Sequence, residues 1–365
     1  MPESLSTTPR VQVPEIDWLK GFCILCVVCI HAAFLEGTQT YRFVINRAVP
    51  VFLVLFGLTS ELWWQRARAN ELPNATKQWF VGRFARVVPG YWAMMAAWWL
   101  AVTFWQRPDD NLTLGWPQFV MTVLGIAGWV GTSWFVTLIL QYIVLFPWLR
   151  RVPSGLWAIL PLAATAAITG ITALYVFEVM KLGDVVFGKN VQNMYYYWVI
   201  FPRAIWHVTA GMFIARWWQG RINLPITLAA IVVCVIGAFV TIDVRHVEWH
   251  LEGRVREVAL LHLLDVPLTI ALLGVFRWLP LPDFARRFLG WCGRWSWGIY
   301  LAHLFIHEIG RIAGFNPTLY PHTTRAAYAL LLFVSGAAIA VTLQKLATAV
   351  FTAVRSRSSV GVSVG

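Results

Sequence analysis

Apolar runs of about twenty residues follow one another along the chain with little between them. That is the pattern of helices that cross a bilayer, because about 20 residues at 1.5 Å each cover its hydrocarbon core. Ten such runs are read, at 16–35, 44–64, 85–106, 132–149, 155–177, 198–218, 224–243, 258–277, 294–312 and 326–350. Another stretch, 116–130, is apolar but short and ends in a Gly-rich turn, so it is expected to be a re-entrant or interfacial segment leading into the fourth span. The expected fold is all-α, a polytopic transmembrane bundle of about ten spans, with tails at 1–15 and 353–365 and one membrane domain over 16–352. A cleaved leader, with Arg10 as its basic region and His31-Ala32-Ala33 as its cleavage site, is the competing reading of the first run. Its length and the presence of Lys20 within it argue for a retained span.

Composition sharpens this. Of 365 residues, 59% are apolar and 13% charged, against roughly 45–50% and about 25% in a soluble domain. Together with 22 tryptophans this excludes a soluble enzyme, whose core could not hide so many large side chains behind so little charge. The net charge of +12 records orientation rather than a nucleic-acid partner. With both termini in the cytoplasm, most of the basic residues fall on the inner side and most of the acids on the outer. The expected location is therefore the plasma (inner) membrane, crossed many times. Cys23, Cys26 and Cys29 read C-x-x-C-x-x-C, but inside an apolar helix with no turn to gather three thiolates, so no metal is expected there.

Ionisable residues within spans are costly and are by default candidates for function. In the first span Lys20 and His31 stand eleven residues apart, about 16 Å along one helix face. Lys20 falls in the inner leaflet and His31 beyond the midplane. Lys20 reads either as a snorkelling boundary lysine or as an anion anchor. His31 reads either as a packing histidine or as a proton-transfer group, since imidazole alone titrates near neutrality. Arg83 and Arg86, one turn apart at the inner boundary of the third span, form a fork pair suited to phosphate, and positive-inside anchoring explains them equally well. Arg203 and Asp265 are expected to pair across two helices for structure. Tyr300, His303 and His307 share a face of the ninth span, where an acceptor-binding or cavity-lining role fits better than zinc. The many tryptophans at span ends read mostly as interfacial belts, with sugar stacking as a further use.

Five segments in order resemble the acyltransferase-3 family of integral membrane acyltransferases. They are Asp17 to Lys20 continuing to His31, the Val49-Pro50 stretch ending at Gly57, Arg83-x-x-Arg86, Trp134-Phe135 leading through Tyr142 to Pro147, and Ser296-Trp297-Gly298-Ile299-Tyr300-Leu301-Ala302-His303. Lys20 stands where the family more usually has Arg, which keeps the charge and loses the bidentate fork. Phe56 stands where a Ser usually precedes the glycine.

The resemblance implies acyl transfer, usually of acetyl, from cytoplasmic acyl-CoA to a hydroxyl of an extracytoplasmic or lipid-linked glycan or other envelope molecule. His31 would be the catalytic residue, as general base or transient acyl carrier. Lys20, Arg83 and Arg86 would hold the CoA phosphates. Glu36, Trp134, Tyr142, Tyr300 and His303 are candidates for meeting the acceptor or lining the cavity, with Glu36 alternatively orienting His31. Acyl-CoA would be a co-substrate, with no permanently bound cofactor and no metal. Besides the bilayer and the glycan acceptor, a separate extracytoplasmic acyl-transfer protein is a possible partner. The competing class is a transporter or flippase of an envelope precursor, in which the same charges would bind substrate or relay protons.

Overall fold

A computed structural model of the chain describes residues 13–104, 120, 124, 134–152, 159–174, 201–217, 222–247 and 251–360. Among these residues the structure is helical throughout, with no strand. The helices are α1 (Pro14–His31), α2 (Gln39–Phe43), α3 (Ala48–Ala69), α4 (Ala75–Phe104), α5 (Trp134–Leu149), α6 (Ile159–Leu174), α7 (Ile205–Trp217), α8 (Leu224–Val247), α9 (Leu251–Trp278), α10 (Asp283–Ile312) and α11 (His322–Val360). Short 3-10 turns at Ile45–Arg47, Phe201–Ala204 and Pro317–Leu319 introduce α3, α7 and α11.

Each of the ten apolar runs overlaps one of these helices among the described residues. Four described segments, Gln39–Ala69, Leu224–Thr241, Leu260–Trp278 and His322–Leu343, are long and apolar enough to cross a membrane. Helices α4 and α10 start about ten residues before the apolar run, because their first turns are basic and aromatic and hydropathy does not register them. Helix α11 continues to Val360, so the chain expected to leave the membrane as a tail from 353 is helical for most of that length. Apart from residues 120 and 124, the segment at 116–130 lies outside the described residues.

Backbone proximity organises the bundle. A Cβ on Gly21 of α1 would strike the carbonyl of Leu289 on α10, and a Cβ on Gly293 of α10 would strike the carbonyl of Asp17 on α1. The same reciprocity joins α3 and α7, where Gly57 faces the carbonyl of Val208 and Gly211 faces that of Val54. Small residues let helix backbones approach this closely in a bilayer, where apolar burial supplies no drive to associate. Helix α1 is capped for its direction, with Pro14 in its first turn, Glu15 and Asp17 beside it, and His31 in its last turn. Aliphatic and aromatic side chains of α8 and α11, such as Val232, Phe239, Leu330 and Val334, point outward, as lipid-facing residues do.

Candidate functional site

The α1–α10 pair carries two polar regions, one near each end. At the Lys20 end a cavity of about 830 Å3, open solvent included, is lined by Lys20, Arg83 and Arg86. Its walls come from α3 (Phe52, Leu55, Phe56, Thr59), α5 (Phe135, Ile139, Ile143) and α10 (Gly293, Ser296, Trp297, Tyr300). Lys20 has one acidic neighbour, Asp17, at 3.6 Å and one turn away. The Arg83 guanidinium lies over the rings of Trp79 (4.4 Å) and Phe56 (5.6 Å), so cation–π contact orients it without neutralising it. Three cations with one nearby carboxylate give this wall an excess of positive charge.

Phe56, which replaces the family's serine, forms part of that wall and packs against Phe146 and Tyr142. The expected acceptor residue Tyr142 is fully buried behind it and outside the cavity lining. Two donors in the wall drew no attention from the sequence. Ser296 lines the cavity, as does Trp297, whose indole N–H is buried with no hydrogen-bond partner among the described residues. Their signal was present in the motif ending at His303, but spacing alone does not show which motif residues face a void.

The cavity reaches Tyr300, whose ring lies 5.3 Å from Phe135 and 5.8 Å from His303. Beyond it is the histidine region. The His31 ring stands between His303 and His307, with centroids 5.3 and 5.2 Å away. Neither ring nitrogen of His31 has a hydrogen-bond partner among the described residues. His303 is fully buried and donates from Nδ1 to the Ile299 carbonyl at 2.9 Å, which leaves Nε2 as a buried acceptor without a partner. The chain leaves His31 through two non-glycine residues in the left-handed region, Ala33 (φ 51°) and Leu35 (φ 59°). This turn is clasped by Arg325, whose guanidinium donates to the carbonyls of Ala33, Thr318 and Tyr320. Glu36 lies on the same turn, 46% exposed, with Arg325 at 3.8 Å. It is therefore exposed to solvent at the His31 end of α1.

A second polar cluster lies apart from both regions. Asp265 of α9 receives two hydrogen bonds of 2.7 Å from Arg47 and one of 2.9 Å from His207, with His262 at 3.6 Å. Asp265 thus takes its bidentate partner from the turn before α3. Arg203, expected as that partner, extends its guanidinium over the Trp134 ring at 5.3 Å. Trp134 is therefore held by Arg203 and does not line the cavity. His207, His262 and Asp265 are the one group among the described residues whose ligand atoms come within 4.8 Å of one another. With Arg47 bound to both carboxylate oxygens, a divalent ion there would be added to a guanidinium in a low-dielectric interior, which disfavours it.

A family model described as an acyltransferase domain, acyltransferase-3, matches residues 13–345. No curated protein and no solved structure matches the chain.

Proposed function

The chain belongs to the acyltransferase-3 family and is a membrane acyltransferase, and from that membership we propose that it moves an acetyl group from cytoplasmic acetyl-CoA to a hydroxyl of an extracytoplasmic or lipid-linked glycan. Ten membrane crossings, both termini inside the cell and residence in the plasma membrane belong to this proposal, on the charge asymmetry of the chain. The observation that carries it is the cavity with three cations at one end, whose wall stops one ring short of the His31–His303 pair. Such a space suits a donor with an anionic head and a long neutral arm.

In this proposal Lys20, Arg83 and Arg86 take the CoA phosphates as charge-assisted hydrogen-bond donors. The arm lies along the α1–α10 pair, where Ser296 and the Trp297 N–H of α10 meet its amide oxygens. His31 accepts the proton of the acceptor hydroxyl as its oxygen attacks the thioester carbonyl. The new C–O bond forms, the C–S bond breaks, and the sulfur leaves as thiolate and recovers the proton from His31 as CoA thiol. A positioned base of this kind contributes about 10²- to 10⁴-fold.

The test is transfer from acetyl-labelled acetyl-CoA in membranes containing the native chain or His31→Ala at equal protein level. Release of CoA and base-labile label in envelope material are expected with the native chain alone. Equal label and CoA release from both chains would remove His31 from catalysis and favour the transporter reading.

A further inference from the structure

The proposed chemistry puts its base on the last residue of a helix, where backbone hydrogen bonds run out. His31 ends α1. Packing against the rings of His303 and His307 orients the imidazole, and the backbone that carries it sets where it stands. What holds the end of α1 in shape therefore governs the base.

That end is a Schellman cap. The Ala33 amide donates to the Ile30 carbonyl at 3.1 Å and the Phe34 amide to the Cys29 carbonyl at 2.9 Å, two bonds that span His31. The cap requires a left-handed residue at position 33, and Ala33 has φ 51°. Glycine is the usual residue there, because it has no Cβ to clash. Leu35 repeats the choice at φ 59°, inside a turn closed by the Glu36 amide on the Ala33 carbonyl at 3.3 Å. Two side chains thus occupy left-handed positions directly after the proposed base.

Such positions persist when the surroundings over-determine them. One support is apolar: Phe34 packs into a small core with Val28 and Ala32, the contact that accompanies this cap. The other is Arg325 of α11, whose side chain is 15% exposed. Its Nε and Nη2 donate to the carbonyls of Tyr320 and Thr318 at 2.8 and 2.7 Å, which fixes the plane of the guanidinium. Its Nη1 then donates to the Ala33 carbonyl at 3.1 Å. A guanidinium has only donors and these carbonyls only accept, so the direction of all three bonds is fixed. Both peptide planes flanking Ala33 are therefore pinned. The one before it is held through its own N–H, and the one after it through the Phe34 N–H at one end and Arg325 at the other.

We propose that Arg325 is a positioning residue for acyl transfer: by bonding the Ala33 carbonyl it holds the left-handed cap that ends α1, and with it the place of His31 beside His303 and His307. Without this bond Ala33 relaxes toward the conformations that L-residues prefer, the last turn of α1 loosens, and His31 leaves the position from which it serves the acceptor hydroxyl. This inference rests on the acyl-transfer reading above.

The experiment uses the full-length chain in membranes with labelled acetyl-CoA, and reads turnover per chain, KM for acetyl-CoA and protein level. Arg325→Gln keeps a polar side chain and loses the three-way fork. It is expected to lower turnover about 5- to 30-fold, the population lost when nothing opposes an L-residue's preference against the left-handed region. The KM for acetyl-CoA is expected to stay native, because Lys20, Arg83 and Arg86 lie toward the other end of α1. Ala33→Gly removes one methyl group and lets position 33 hold the left-handed cap unaided. Measured against Ala33→Gly with Arg325 intact, Arg325→Gln is expected to cost less than about three-fold in turnover. A structural role alone would lower protein level and leave turnover per chain native, and direct contact of Arg325 with the acceptor would give the same loss in both backgrounds. His31-dependent transfer that Arg325→Gln leaves at native turnover overturns this inference alone, as does an undiminished loss in the Ala33→Gly background or a loss confined to KM or protein level. Transfer that does not depend on His31 at all overturns the reading beneath it.

Discussion

The cavity cations and the Asp265 cluster are both collections of charge inside an apolar bundle, yet they are built on opposite plans. Around Asp265 the charges answer one another. Both carboxylate oxygens are bonded to Arg47, His207 adds a third contact, and Asp265, His207 and His262 are buried. At the cavity, Lys20, Arg83 and Arg86 line open space, and Asp17 is the one acid paired to them among the described residues. A buried pair that satisfies itself fixes helices, and its net contribution to stability is modest. Cations that face a void with aromatic rings behind them are incomplete until an anion arrives. The comparison separates scaffold from site without reference to which residues a family motif contains.

The comparison predicts different kinds of loss. Asp265→Ala leaves Arg47 buried without its counter-charge and is expected to cost about 3–5 kcal/mol, read as loss of the chain from membranes or as a lowered midpoint in thermal unfolding. Adding Arg47→Met to Asp265→Leu, which removes both charges, is expected to restore most of that level; failure to do so would assign the cluster a role beyond scaffolding. Arg83→Gln and Arg86→Gln are expected to leave protein level native and raise the KM for acetyl-CoA about 10- to 100-fold each, the worth of a hydrogen bond to a charged group. A fall in protein level with unchanged KM would move these arginines to the scaffold side. Phe56→Ser removes one of the two rings under Arg83 and is expected to weaken donor binding by about 0.5–1 kcal/mol, a few-fold in KM. Glu36→Gln is expected to change stability by less than about 1 kcal/mol, as for other exposed pairs. Any large fall in transfer from that variant would therefore report contact with the acceptor.

What could be read from the sequence follows the range of the physical signal. Helix positions depend on twenty-residue windows of hydropathy, and each run overlaps a helix among the described residues. Where α4 and α10 extend beyond the window, their basic and aromatic first turns carry no hydropathy signal. Lys20 with His31, and Arg83 with Arg86, were legible because each pair lies on a single helix, where spacing fixes the face. Partners across helices were not. Arg47 and Asp265 are 218 positions apart, and no periodicity links a turn before α3 to the middle of α9. The same limit hid Arg325, which reaches back from the start of α11 to the turn after His31. Tyr142 shows the opposite failure. A motif position singled it out, and packing behind Phe56 removes it from the cavity surface.

The two glycine seams bear on the shape of the cavity. Gly21 with Gly293 and Gly57 with Gly211 join α1 to α10 and α3 to α7 at backbone contact, so each pair behaves as one mechanical beam. The cavity lies between the beams, with Lys20, Ser296 and Tyr300 on one and Phe52, Phe56 and Thr59 on the other. Backbone contact at the seams leaves little slack within either pair, so the width of the cavity is set by the spacing between the pairs and by the α4 and α5 walls. The stretch of α1 between Lys20 and His31 is about 16 Å by helix geometry, so in the proposed reaction a donor anchored at Lys20 reaches His31 only if its arm covers that length, and α1 acts as a fixed gauge of donor length.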